Sequence, residues 1–123
     1  MANPNIVNVT SIYGNTSYLI PSTTSATTWT ALTPAAGTVN KIDNIVAANV
    51  TASAVAVTVS INSATGGGGT AYRIAYQISV PANASLIITD KTTAFYVGES
   101  QSVVVTVGTG SAIELTASYE AIT

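Results

Sequence analysis

The strongest constraint on the fold is a period-two alternation of large apolar residues with small or polar ones, running twice in close succession. From Ala54 to Asn62, Val55, Val57, Val59 and Ile61 fall on one face and Ala56, Thr58 and Ser60 on the other. Successive side chains of a strand point to opposite faces, and β-branched residues suit a half-buried pleat, so this segment reads as a strand. The next run repeats the pattern: Tyr72, Ile74, Tyr76, Ile78 and Val80 alternate with Ala71, Arg73, Ala75, Gln77 and Ser79, and Pro81 ends it. Between them lies Ser63 to Thr70, which contains Gly66, Gly67, Gly68 and Gly69. Four glycines in a row hold no single conformation cheaply, so the expectation is a hairpin with a flexible tip.

Further strands are expected at Ser85 to Thr89, Thr93 to Val97, Ser102 to Val107 and Ala112 to Ile122. In the last, Ile113, Leu115, Ala117 and Tyr119 face inward, opposite Glu114, Thr116, Ser118 and Glu120. Upstream, Ile6 to Tyr13 and Ser17 to Ile20 flank Gly14-Asn15, a pair suited to the positive-φ positions of a primed hairpin turn. Ala26 to Leu32 carries Trp29, and Pro34 to Gly37 forms a turn. Lys41 to Thr51 places Ile42, Val46, Ala48 and Val50 on one face and Ile45 on the other, which suggests a central strand covered on both sides. Alanine is interleaved with Thr, Val and Ser throughout, and no stretch keeps a 3.6-residue period. The fold class is all-β: one antiparallel β-sandwich of eight or nine strands, with the jelly roll as its candidate topology and a closed barrel as second choice. A single domain covers residues 1–123, with 1–5 as an extended N-terminal arm.

Composition then excludes whole classes of chemistry. The 123 residues include three Lys/Arg, five Asp/Glu, no His and no Cys. That removes disulfides, thiol nucleophiles, imidazole bases and the usual zinc ligands. Three basic residues cannot form a phosphate-neutralising stripe, so nucleic acid is not expected as a partner. No segment has the length of apolar sequence that a spanning helix needs, and the start lacks a basic and apolar leader. The expectation is a protein made and used without export by that route, with no membrane partner. Four Asn-x-Ser/Thr sequons, at Asn8, Asn15, Asn49 and Asn83, fit chance in a chain with 33 Ser/Thr.

No motif gathers a catalytic or metal site, and no cofactor is expected. The glycine run lacks the following Lys-Ser/Thr and helix of a phosphate loop. Asp43, Asp90, Glu99, Glu114 and Glu120 are scattered rather than paired, and no Asp-rich cluster would hold calcium. Lys41 with Asp43, and Asp90 with Lys91, read as ion pairs or turn chemistry. Alternation places Tyr72, Tyr76 and Tyr119 inward and favours packing roles for the aromatics. The informative property is the surface. Its strand faces carry Ala, Thr, Ser, Gln and Asn, and neither lysine is expected in the longest regular strands. Free monomers usually carry far more charge, and edge strands are usually guarded by Lys, Pro or bulges. Such a surface is inexpensive to desolvate and suits burial in an assembly.

The opening Met1-Ala-Asn-Pro-Asn-Ile-Val-Asn-Val-Thr-Ser-Ile-Tyr-Gly-Asn15, the middle Ser79-Val-Pro-Ala-Asn-Ala-Ser-Leu-Ile-Ile-Thr-Asp-Lys91 and the ending Ala117-Ser-Tyr-Glu-Ala-Ile-Thr123 resemble small virion structural proteins of tailed phages infecting marine cyanobacteria. The resemblance implies a β-rich, non-enzymatic particle component. Taken with the surface, it points to a capsid decoration or cement protein on the exterior of the head. The major capsid protein or other virion subunits are its expected partners, and a homo-oligomer, a trimer favoured, is its expected state. Ala2, Asn3, Pro4 and Asn5 form a candidate partner-binding arm, and Gly66 to Gly69 are solvent-facing or ordered on docking. A neck or tail accessory protein is the alternative. A carbohydrate-binding host-recognition module is the alternative of another class, and it predicts Trp29 or tyrosines exposed beside polar side chains.

Overall fold

A computed structural model describes residues 4–5 and 7–123. Its strands are β1 (Ile12–Leu19), β2 (Thr27–Thr28), β3 (Val39–Asn49), β4 (Val55–Asn62), β5 (Ala71–Val80), β6 (Ser85–Thr89), β7 (Phe95–Val97), β8 (Ser102–Val107) and β9 (Ile113–Ile122). One sheet runs β1-β9-β3-β6, with β7 also on β3; the other runs β2-β8-β4-β5, and every pairing is antiparallel. With β6 and β7 taken as one interrupted strand, this is the order of a jelly roll, two four-stranded sheets closed over one core. The expected sandwich is therefore the fold, and the barrel is not formed.

The alternating valines make the core. Val55, Val57 and Val59 of β4 and Val103, Val105 and Val107 of β8 pack against Ile42, Ile45 and Ala47 of β3 and Ile113, Leu115 and Ala117 of β9. Each fully buried Val, Leu or Ile side chain contributes about 1.5–3 kcal/mol. Trp29 is 1% exposed, and its indole Nε1–H donates to Ser17 Oγ at 3.0 Å. Its neighbours form a two-residue strand and a 3-10 turn at Thr30–Leu32, in place of the longer strand expected from Ala26 to Leu32.

Several local expectations are corrected. Gly14-Asn15 is not a turn: β1 runs straight through it, paired residue for residue with β9 from Ile12 opposite Ile122 to Leu19 opposite Leu115. A turn-forming pair is tolerated in a strand when neighbouring pairs fix the register, and Gly14 does not take a positive φ. β3 is central, but its mixed pattern has another cause. Ile42 opposes Tyr119 and Asn44 opposes Ser118, so Asp43 is an extra residue, a bulge that flips the alternation. Ile42 and Ile45 thereby reach the same core, while Val50 is left exposed. Lys41 sits within this longest strand, contrary to expectation.

β5 is bulged as well. Val57 opposes Ile78 while Val59 opposes Ala75, and Gln77 takes φ 48°. The extra residue puts Ala75 over the core and turns Tyr76 out. A second shift leaves Tyr72 opposite Ile61 at the strand end. Tyr72 and Tyr76 are 62% and 60% exposed, so neither packs inward as expected. Tyr119 is partly buried against the core. The expected strand from Thr93 starts at Phe95, because Asp90 caps a 3-10 turn over Lys91–Thr93.

Candidate functional site

The scattered carboxylates of the sequence stay scattered. Lys41 Nζ lies 3.9 Å from both Asp43 Oδ1 and Glu120 Oε2 on the outer face of the five-stranded sheet, a half-solvated cluster. Asp90 Oδ1 accepts from Thr92 Oγ1–H at 2.6 Å and from Thr92 N–H at 2.9 Å. These bonds to the charged form, the hydroxyl's first, hold its carboxyl below the ordinary range. Glu99 Oε2 accepts from Gly37 N–H at 2.8 Å and so fixes the turn expected at Pro34 to Gly37. Glu114 is exposed on β9. Among the described residues no three acidic, His or Cys groups converge on one point.

Two concavities among the described residues have little chemistry in them. A groove of about 420 Å³ is lined by Ala56, Thr58, Gln77, Thr106, Val107 and Gly108, none of them titratable. A second, of about 330 Å³, lies beside Pro34, Thr65 and Glu99.

The glycine tip is a built turn. Thr65–Gly67 forms a 3-10 turn, and Gly67 and Gly69 take φ 80° and 71°, in the left-handed region that glycine enters without steric cost. A Cβ on Gly69 would also collide with Ser63 Oγ. Asn62 Nδ2–H donates to Gly67 O, Gly67 N–H donates to Ser102 Oγ, and Ser102 Oγ–H donates to Ala64 O. Thr70 N–H donates to Ser63 Oγ at 2.8 Å and closes the base of the loop. The expected flexible tip at Gly66 to Gly69 is thus tied to β4 and β8. Of the expected arm, Ala2 and Asn3 lie outside the described residues; Pro4 is half-buried, and Asn5 Oδ1 accepts from Val7 N–H.

What the fold does bring together is apolar surface on sheet edges. Ile12, Tyr13, Tyr18 and Ile20 are 52–75% exposed along β1 and just beyond it. Tyr72, Tyr76 and Ile78 are exposed on β5, where the Arg73 guanidinium lies 5.3 Å from the centre of the Tyr76 ring. The edges differ in protection. β5 has two bulges and Arg73, β2 has two residues, and β6 and β7 are short. β1 has eight residues, pairs with β9 alone among the described strands, and has no charge, proline or bulge. An edge of that kind is a template for another strand. The sequence pattern conceals it because Gly14-Asn15 reads as a turn, which splits the edge in two.

No family model and no curated protein matches this chain. A solved structure described as "Bacillus endospore appendages form a novel family of disulfide-linked pili" is similar at 15% identity and a TM-score of 0.46, over 98% of this chain and 96% of that one. So distant a likeness carries no conclusion about function, and this chain has no cysteine with which to form a disulfide.

Proposed function

We propose that this chain is a non-enzymatic structural subunit that acts by being covered: a decoration protein on the exterior of an assembled phage head, bound to the major capsid protein. The observation that carries the assembly reading is the unguarded edge of β1 beside exposed Ile12, Tyr13, Tyr18 and Ile20. The resemblance of both chain ends and the middle to cyanophage virion proteins supports the phage setting. A ligand that binds only the assembled lattice stabilises it by linkage, and many weak identical contacts hold through avidity.

The test is co-sedimentation of the purified chain with undecorated heads and with isolated coat subunits, followed by heating of the heads. Binding to heads alone, with a raised disruption temperature, is expected. Equal binding to free coat subunits, or none to heads, overturns it. Imaging of intact particles separates the alternatives: hundreds of copies over the head support decoration, and one ring of copies supports a neck or tail role.

The carbohydrate reading keeps one specific observation. Trp29 is buried and unable to stack on a sugar, but Tyr72 and Tyr76 are exposed beside Arg73 and Gln77. Binding on a glycan array that is lost in Tyr76→Ala would favour that reading over decoration.

A further inference from the structure

We propose that β1 pairs antiparallel with β1 of a second copy, about a two-fold axis at Asn15, joining two five-stranded sheets into one. This deepens the assembly reading and rests on it.

The geometry follows from the ladder. Ser11 and Thr123 exchange both backbone hydrogen bonds, at 3.3 and 2.9 Å. Such pairs alternate along an antiparallel ladder, so Tyr13, Asn15, Ser17 and Leu19 bond to β9. Ile12, Gly14, Thr16 and Tyr18 therefore turn their N–H and C=O groups to the open edge. The register that engages all four sets Ile12 opposite Tyr18 of the second copy and Gly14 opposite Thr16, with Asn15 on the axis. Ile12 and Tyr18, 52% and 75% exposed, then form an aliphatic–aromatic cross-strand pair twice over.

Charge decides the occupant. A two-fold axis brings residues near their own copies, so a charge close to the axis would face its like; β1 has none. β5 is a poorer partner, because its bulges break the ladder and Arg73 lies within it. A two-fold contact gives even-numbered assemblies, in place of the trimer favoured by the sequence.

The chain has no cysteine, so a single introduced one reports the contact cleanly. Asn15 would face its copy in a non-hydrogen-bonded pair, with Cα atoms about 4.5 Å apart, within reach of a disulfide. Mild oxidation of Asn15→Cys is expected to give a cross-linked dimer. Tyr18→Cys is expected to give no cross-link, since its copy lies roughly 20 Å away at ~3.3 Å per residue. Adding Thr16→Lys to Asn15→Cys should abolish the cross-link and leave the circular dichroism of the fold unchanged. The proposal is overturned if Asn15→Cys does not cross-link, if Tyr18→Cys cross-links equally, or if Thr16→Lys has no effect. Head binding by the unaltered chain without an Asn15→Cys cross-link removes this pairing and leaves the decoration reading standing.

Discussion

Trp29 shows how a single side chain locks the two sheets. Its ring fills the core and its N–H meets Ser17 Oγ on β1, so burial and hydrogen bonding fall on one residue. Trp29→Phe keeps most of the apolar volume but leaves the buried hydroxyl without its donor, and should cost about 1–3 kcal/mol in urea unfolding. Among the described residues, Asp90 gives a residue-level pH signature. Its carboxyl is held below the ordinary range by Thr92, so it favours the folded state above that range and loses the contribution as pH falls through the depressed folded value. Asp90→Ala should therefore melt lower than the parent at neutral pH and converge with it in strong acid, once the carboxyl is protonated in both states. A difference that persists in acid would locate the effect elsewhere than in the charge.

At the level of elements, glycine position separates strand from turn. Gly14 has open space around a Cβ and sits inside β1, so Gly14→Ala should stabilise by roughly 0.5–1 kcal/mol. At a primed turn the same change would destabilise, which makes thermal unfolding of this variant a check on β1. Gly69 is the converse: positive φ and the close approach of Ser63 Oγ make Gly69→Ala destabilising by about 1–3 kcal/mol. The core strands are legible in the sequence because Val55, Val57 and Val59, and Val103, Val105 and Val107, recur at every second position. The bulges at Asp43 and Gln77 are not, since an extra residue is set by pairing with a distant strand and leaves no local mark. That is why alternation alone assigns Tyr76 to the wrong face, while Tyr72, opposite Ile61, is exposed because it lies at the strand end; the edge at β1 hides behind a plausible turn.

The whole molecule has 6315 Å² of accessible surface, close to the ~6,100 Å² expected for a monomer of its 12.4 kDa. It has no excess of open surface, so the proposed self-association would join units already folded rather than couple folding to contact. What distinguishes it is how few charges that surface carries and where they lie. Lys41, Asp43 and Glu120 form one cluster of mixed sign, Asp90 and Lys91 sit at one turn, and Glu99 is tied to Gly37. Association through backbone hydrogen bonds and apolar contacts has little Coulomb energy for salt to screen. Between 50 and 500 mM NaCl, where the screening length falls from about 14 to about 4 Å, the self-association constant should change less than about threefold. Ammonium sulfate should strengthen it, because excluded salts favour buried apolar surface. Sedimentation velocity across both series is the measurement, and dissociation by moderate NaCl alone would show that charges hold the assembly together.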